Sequence, residues 1–207
     1  MKKLIFIVIL LINFITYSQV KEEIYKSFSE SNAREHFLYF VNDSIVKISS
    51  IRTHMSGQVS VTAKFQKIND TIEIKISKLT TKDSIEFSKY QLSYLDNKII
   101  KLYLNKTELI DIENKTVYVK NSIYYKNYYR RKSLSYFEGK KYIIDRGITN
   151  GYGTLDKLPK KNKKFLKVMQ KQFENPENYK SKIYRGLTAY EKFGKIGING
   201  VCVTERK

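Results

Sequence analysis

The sequence has little of the residues that build covalent crosslinks or metal sites. It contains one cysteine, Cys202, and two histidines, His36 and His54, in a chain of 207 residues. A single cysteine excludes an internal disulfide framework. The two histidines lie far apart without cysteines or clustered acids beside them, so they do not provide the three or four ligands of a metal site. We therefore predict neither metal nor cofactor, and a fold held together by its hydrophobic core.

Recognisable catalytic motifs are also absent. No Gly-x-Ser-x-Gly or His-Glu-x-x-His pattern occurs. Cys202 lies in the apolar stretch "VCV", which favours a small buried residue over a nucleophile. Asp43, Asp70, Asp96 and Asp111 fall at or near the ends of predicted strands, where turn chemistry accounts for them. The sequence predicts a protein that is not an enzyme, the alternative being an envelope hydrolase without a known motif.

Proline is rare, with Pro159 and Pro176 as its two occurrences, and residues 36–129 contain none. In that region apolar and polar residues alternate with period two, which is typical of half-buried strands. The stretches "VSVTAKF" and "TIEIKIS" flank the turn "IND", and the same arrangement recurs in "FLYFV" and "SIVKISSI", "IEFSKYQLSYL" and "KIIKLYL", and "ELIDI" and "TVYVK". We predict an antiparallel β-meander over residues 36–135, folded as a sandwich or a small barrel. Residues 19–35 form a lead-in or a short helix.

The pattern changes in residues 136–207. A strand in "KKYIIDRG" precedes a helix in "PKKNKKFLKVMQKQF", for which Pro159 suits the start. A strand in "SKIYRG", a short helix in "LTAYEKF" and a last strand in "GVCV" follow. This order predicts a smaller β-α-β-α-β unit, and the fold class of the whole chain is α+β.

The N-terminus has the plan of a secretory signal peptide. A basic start is followed by an apolar run from Leu4 to Thr16, and Thr16 and Ser18 suit a cleavage site before Gln19. The alternative is a membrane anchor, but the run is shorter than the roughly 20 residues that span a bilayer. We predict removal of residues 1–18 and a mature chain without a transmembrane span. It would be periplasmic, associated with the outer membrane, or secreted.

Acidic residues are scarce, because 20 Asp and Glu stand against 39 Lys and Arg. This excess can indicate nucleic-acid binding, docking on an anionic envelope surface, or a composition rich in Lys, Ile, Asn and Tyr without functional meaning. We predict no nucleic-acid partner, since an exported protein rarely meets one. Seven lysines and no acid occur in residues 157–171, either as a solvated helix face or as a patch for anionic glycan or lipid. The candidate patch residues are Lys160, Lys161, Lys163, Lys164 and Lys167.

Glycine is scarce too, with nine residues, yet Gly194, Gly197 and Gly200 recur three apart between a predicted helix and the last strand. Such glycines permit positive φ and close backbone approach. Asn199 next to Gly200 forms a natural tight turn, after which Val201 starts the strand.

These residues carry a resemblance. The stretches "YIIDRG", "NPENYKSKIY" and "AYEKFGKIGINGVCVTERK" resemble, in this order, the plug domain of TonB-dependent outer-membrane receptors. They are most similar to the short plug-like modules at the C-terminus of many exported proteins of Bacteroidota. Arg146, Asn178 and Tyr179 depart from the family pattern. The motif residues in register are Ala189, Phe193, Gly194, Gly197, Asn199, Gly200, Val201 and Thr204.

The resemblance implies a plug-like module with a non-catalytic role. The membrane barrel that follows the plug of a receptor is not in this sequence, so we do not predict a transporter. We therefore predict an exported, non-enzymatic envelope protein that binds a protein partner or an anionic surface. The alternative is a small-ligand carrier with a lipocalin-like barrel. A large apolar cavity inside the β domain would favour the carrier, and a filled core the interaction protein.

Overall fold

The architecture is given by a computed structural model. It describes residues 23–30, 35–50, 59–77, 79–89, 92–95, 98–126, 132–145, 148–149, 155–157 and 162–207. The predicted signal peptide, its cleavage site before Gln19, and His54 lie outside these residues. Within them, no helix is both long and apolar enough to cross a membrane.

The first unit is a closed antiparallel barrel of eight strands, so the prediction of a meander is confirmed and the barrel alternative is the right one. Each strand pairs with the next, and the last pairs with the first. The strands are β1 (Glu23–Ser29), β2 (His36–Phe40), β3 (Ile45–Ser50), β4 (Ser60–Ile68), β5 (Thr71–Lys75), β6 (Ile99–Asn105), β7 (Glu108–Asp111) and β8 (Thr116–Lys120).

Tight turns join most of these strands. Between β2 and β3, the side chain of Asn42 accepts hydrogen bonds from the backbone N–H groups of Ser44 and Ile45, at 2.9 and 2.8 Å. Asn69 turns β4 into β5 with φ 53°, and Lys106 turns β6 into β7 with φ 57°. The chain therefore folds back at the Asn-containing turn "IND" that the sequence predicts.

Two elements of the barrel differ from the prediction. Residues 23–29 are the strand β1 rather than a lead-in or short helix, and Tyr25 and Ser27 point into the barrel. The first part of the stretch predicted as the strand "IEFSKYQLSYL", from Ile85 to Lys89, instead forms the second half of helix α1 (Thr81–Lys89). Thr80 caps this helix, because its Oγ1 accepts a hydrogen bond from the N–H of Asp83 at 3.2 Å.

Apolar side chains fill the interior of the barrel. Phe87 of α1 is 1% exposed and packs among the strands. The interior residues are Tyr25, Leu38, Val46, Ile48, Val59, Ala63, Ile74, Ile76, Leu79, Phe87, Leu92, Leu95, Ile100, Leu102, Leu109 and Tyr118. Burying one such side chain stabilises the fold by about 1.5–3 kcal/mol. The barrel is therefore held by a dense core.

A buried polar cluster lies within this core. The imidazole of His36 is hydrogen-bonded through Nδ1 to Ser27 Oγ at 3.1 Å and through Nε2 to the hydroxyl of Tyr118 at 3.0 Å. The backbone N–H of His36 also donates to Ser27 Oγ at 2.9 Å. Since buried polar groups must find partners, this cluster explains a histidine at 0% exposure.

The second unit is a four-stranded sheet in the order β10-β9-β14-β13. Its strands are β9 (Lys132–Phe137), β10 (Lys140–Asp145), β13 (Tyr179–Tyr184) and β14 (Val201–Arg206), and a separate short pair is formed by β11 (Ile148–Thr149) and β12 (Leu155–Lys157). Strand β14 pairs antiparallel with β13 and parallel with β9. The last strand of the chain is thus an inner strand of this sheet.

The unit contains one strand more than the predicted β-α-β-α-β order, and it starts at β9 rather than at residue 136. Strands β9 and β10 form a hairpin around Glu138 and Gly139, which have φ values of 48° and 76°. Helix α3 (Lys163–Glu174) packs on one face of the sheet, where Phe165 contacts Tyr142 with ring centroids 5.7 Å apart. Helix α4 (Gly186–Phe193) covers the other face through Ala189, which packs with Leu134 and Val201.

Helix α4 also joins the two units. Leu187 packs with Val117 and Val119 on the outer face of the barrel. Ile198, and Tyr124 of helix α2 (Asn121–Lys126), belong to the same cluster. A Cβ on Gly186 would lie 2.4 Å from the backbone nitrogen of Glu30 and 2.7 Å from the carbonyl oxygen of Lys115. Only glycine permits this approach at φ 50°. The sheet and the barrel therefore share a buried layer.

Candidate binding cleft at the edge of the second sheet

A cleft of about 540 Å³ opens where β13 passes into α4. Arg185 is the residue between the two elements, with an extended backbone at φ −139°, and Gly186 then starts the helix against the barrel. This tight connection brings the end of β13, the first turns of α4 and the end of β1 together. The cleft is lined by Glu30, Lys182, Ile183, Tyr184, Arg185, Thr188 and Lys192.

Positive charge dominates the cleft. Lys182 and Lys192 approach the ring of Tyr184 from β13 and from α4, with Nζ atoms 5.1 and 4.7 Å from the ring centroid. Such cation–π contacts stabilise by about 0.5–1 kcal/mol at exposed sites. Arg185 adds a third cation, and its side chain is exposed. The tyrosine thus gathers two ammonium groups beside a guanidinium on one small surface.

Among the described residues that line the cleft, Glu30 is the one carboxylate. Its Oε1 accepts a hydrogen bond from the backbone N–H of Thr188 at 2.7 Å, near the start of α4. Its Oε2 lies 3.8 Å from Nζ of Lys115, which does not line the cleft. The Glu30 carboxylate therefore links α4 to the barrel. The side chains that line the cleft retain an excess of positive charge.

The glycine motif predicted from the sequence forms the connection between α4 and β14, and its glycines have structural roles. Gly194 ends α4 with φ 66°, and Gly200 precedes β14 with φ 91°. A Cβ on Gly197 would lie 2.7 Å from the carbonyl oxygen of Ala189, so this glycine permits close packing. Val201 is buried in the layer under α4.

Asn199 does more than turn the chain. Its Nδ2 donates to the carbonyl oxygen of Lys132 at 2.8 Å, and its Oδ1 accepts from the hydroxyl of Tyr124 at 3.1 Å. Tyr124 belongs to α2, which follows the barrel, whereas Lys132 begins the second sheet. Asn199 therefore connects the two units, a role that the turn prediction did not include.

The predicted lysine patch is only partly described. Lys163, Lys164 and Lys167 are exposed on α3, whereas Lys160 and Lys161 lie outside the described residues. On the same helix Leu166 is 55% and Phe173 76% exposed. At about 100° per residue, Leu166 and Phe173 lie on one side of the helix and Lys164 on nearly the opposite side. Lys163, about 60° around the helix from Leu166, and Lys167, about 100° from it, lie between these two sides, so the exposed lysines border the exposed apolar residues.

Where the structure describes them, the residues considered for chemistry lie in separate places. His36 and its two partners are buried in the barrel core. Cys202 is half-buried on β14, with Sγ 3.9 Å from Thr204 Oγ1. Within the part of the chain that the structure describes, no group of three or more His, Cys, Asp or Glu residues could hold a metal ion.

Sequence reasoning missed the cleft. Lys182, Arg185 and Lys192 are spread over a strand, a connection and a helix, and nothing in their spacing marks them as a group. The signal available was the run "SKIYRG" followed by a short helix that carries a further lysine. Their convergence follows from the glycine at 186, which sets α4 directly against the end of β13.

The comparisons with known proteins add no assignment. No family model matches the chain, and no curated protein and no solved structure matches it either. What the protein binds must therefore be argued from the geometry of the cleft and from the sequence.

Proposed function

We propose that this protein is an exported, non-enzymatic envelope protein whose second unit is a plug-like interaction module that binds an acidic protein partner. The observation that carries the proposal is the cleft beside β13. There Lys182, Arg185 and Lys192 meet around Tyr184, while Glu30, the one acidic residue among the described residues of the lining, is already bound by Thr188 and Lys115. A surface of this kind attracts anionic groups and speeds their encounter.

Two further observations support a binding role over the small-ligand carrier. Inside the barrel, buried apolar side chains of the described residues, among them Phe87 of α1, pack into one cluster, whereas a carrier needs a cavity of several hundred cubic ångströms. The cleft described above lies outside the barrel. The carrier alternative therefore finds no support among the described residues.

The plug-like character of the second unit rests on the sequence resemblance, and the local geometry is compatible with it. Gly200 has the positive φ that the motif requires. The strand after it pairs with "YKSKIY", and the hairpin that contains "YIID" belongs to the same sheet. Export rests on the signal peptide predicted for residues 1–18.

Binding of an acidic polymer tests the proposal. We expect polyglutamate to bind the mature protein at low salt and to dissociate as salt rises, because the Debye length falls from about 10 Å at 0.1 M to about 3 Å at 1 M. The variant Lys182→Gln, Arg185→Gln, Lys192→Gln should bind about tenfold more weakly. Equal binding by this cleft variant and the wild type would refute the proposal.

A matched control removes the same charge elsewhere. Lys47, Lys64 and Lys75 are exposed on the barrel strands β3, β4 and β5. Their replacement by Gln lowers the net charge by the same amount, so a loss of binding confined to the cleft variant identifies the cleft as the binding surface.

For the export prediction, mass spectrometry of the exported protein should find Gln19 as the first residue. Recovery of an intact Met1 form would contradict it.

A further inference from the structure

Strand β13 is an outer strand of the four-stranded sheet. Its six residues pair with β14 on one side, and the sheet order assigns it no second neighbour among the described residues. The side chains of Lys180, Ser181, Lys182 and Ile183 are exposed. An outer strand presents backbone N–H and C=O groups along its open side, and an extended peptide can pair with them.

We infer that β13 accepts an extended acidic segment of another protein, which adds to the sheet as a further strand and fills the cleft. This inference rests on the proposed function and specifies the form of the partner. Backbone hydrogen bonds along β13 would provide the affinity, and the side chains of the cleft would determine which partner sequences bind.

The cations of the cleft determine which residue types suit one face of the added strand. Because side chains alternate across a sheet, Lys182 and Tyr184 share the face that α4 covers, and Lys192 of α4 lies over the ring of Tyr184. An incoming strand would direct every second side chain toward these cations. Those positions should be Asp or Glu.

The opposite face of β13 determines which residue types suit the remaining positions of the added strand. Ile183 points to that side and is 60% exposed. Ser181 on the same face is already hydrogen-bonded to Gln172 and Thr204, at 3.0 and 2.8 Å. The incoming residues there should be apolar, so that they cover Ile183. The preferred segment therefore alternates acidic and apolar residues over about the length of β13.

Lysine on an outer strand has a rival explanation, since it also discourages strands from pairing edge to edge. That role would need only Lys180 and Lys182, which lie on β13 itself. Arg185 follows the strand and Lys192 belongs to α4, yet both line the same cleft as Tyr184. Edge protection does not account for cations that converge from outside the strand.

The test uses a capped peptide of six residues, the length of β13, in which Glu alternates with Val. A second peptide has the same sequence and charge but carries N-methyl groups on all its backbone amides, which removes every N–H that could pair with β13. We expect the first peptide to bind the mature protein about tenfold more tightly. It should also slow hydrogen exchange of the β13 amides.

The outcomes separate this inference from the proposed function. Equal binding of the two peptides, with no change in exchange at β13, would refute strand addition but leave an acidic partner in place. Failure of both peptides and of polyglutamate would refute both. Binding to phosphatidylglycerol vesicles that the cleft variant loses, without peptide binding, would assign the cleft to a lipid surface instead.

The variants complete the design. The cleft variant Lys182→Gln, Arg185→Gln, Lys192→Gln should lose about tenfold in affinity for the Glu-Val peptide. The barrel variant with Lys47, Lys64 and Lys75 changed to Gln should keep its affinity. Equal losses in the two variants would show that net charge alone attracts the peptide and would overturn the assignment to β13.

Discussion

The ammonium group of Lys195 lies 2.8 Å from Oε1 of Glu108, a carboxylate whose side chain is 2% exposed. Lys195 follows α4, whereas Glu108 begins β7 on the outer face of the barrel. Lys195 Nζ also donates to Thr107 Oγ1 at 3.1 Å, and the hydroxyl of Tyr190 donates to Glu108 Oε2 at 3.4 Å. An ion pair therefore reinforces the apolar layer that joins the two units.

Lys195→Met should lower the free energy of unfolding by about 2 kcal/mol, because it leaves the buried carboxylate of Glu108 without its cation. Urea denaturation of the variant and the wild type measures the change. The double variant Lys195→Met, Glu108→Gln should recover much of the loss, since no buried charge then remains unpaired. If the single and double variants were equally unstable, the charge pairing would not be the cause.

Gly186→Ala should be among the most destabilising substitutions in the chain. The new Cβ would lie 2.4 Å from the backbone nitrogen of Glu30, so α4 must move off the barrel at a cost of about 3 kcal/mol or more. Gly139→Ala is the matched control, because Gly139 also has positive φ but a Cβ there would have no atom within 4 Å. It should cost about 1 kcal/mol. Equal thermal stabilities of the two variants would contradict the close approach.

Gly200→Val should loosen the second sheet through backbone strain rather than through a clash. The residue has φ 91°, and the nearest atom to a Cβ is the carbonyl oxygen of Tyr184 at 3.5 Å. We expect a loss of about 1–3 kcal/mol. Hydrogen exchange should become faster in β9, β13 and β14, while β3 to β6, which lie away from α4, keep their protection. Unchanged exchange in β14 would argue against a strained Gly200.

The carboxyl group of Asp111 should make the protein less stable as the pH rises. Burial raises its pKa above the ordinary value of 3.8, against hydrogen bonds from Asn114 that lower it. The folded state therefore holds the proton more tightly than the unfolded state. The resulting stabilisation is complete below the unfolded pKa and is lost as the pH rises through the folded pKa.

Asp111→Asn removes this dependence and still accepts a hydrogen bond from the backbone N–H of Asn114. We expect the variant to gain stability relative to the wild type between about pH 4 and pH 7 in urea titrations. Glu23→Gln provides a control of opposite sign, because hydrogen bonding to Lys120 lowers the pKa of Glu23. That variant should lose stability relative to the wild type as the pH rises from below the ordinary value of 4.5 to above it. A constant difference between Asp111→Asn and the wild type would contradict the prediction.

The predicted lysine patch, of which Lys163, Lys164 and Lys167 lie on α3, should hold anionic surfaces weakly and through charge alone. Replacing Lys160, Lys161, Lys163 and Lys164 with Gln should abolish retention on phosphatidylglycerol vesicles at low salt without unfolding the protein. High salt should abolish retention of the wild type in the same way. A wild type that is not retained at low salt would show that the patch is only a solvated helix face.

Most of the barrel could be predicted because, along most strands, apolar residues that face the core alternate with polar residues. Ile72, Ile74 and Ile76 alternate with polar residues, and the structure places them toward the core as expected. Strand β1 was missed because its buried face includes the polar Ser27, which pairs with His36. Helix α1 was missed because its residues also fit a period-two pattern. The capping signal of Thr80 and Asp83 was the local feature that favoured the helix.

The second unit shows where sequence reasoning reaches its limit. The positive φ of Gly200 follows from local turn chemistry and is found. The cleft depends instead on which strands become neighbours. Because β14 inserts between β9 and β13, β13 becomes an outer strand. Such a long-range pairing leaves no mark in the spacing of Lys182 and Lys192.

The central position of β14 also imposes an order of assembly. The barrel is complete once residues 23–120 are available, since β8 closes on β1. The hairpin of β9 and β10 must wait for Val201–Arg206 before it has a third strand, and an isolated hairpin is marginally stable in water. During synthesis the protein would thus pass through a state with a folded barrel and an unassembled sheet. The four-stranded sheet, and with it the cleft beside β13, can form only after Val201–Arg206 have been synthesised.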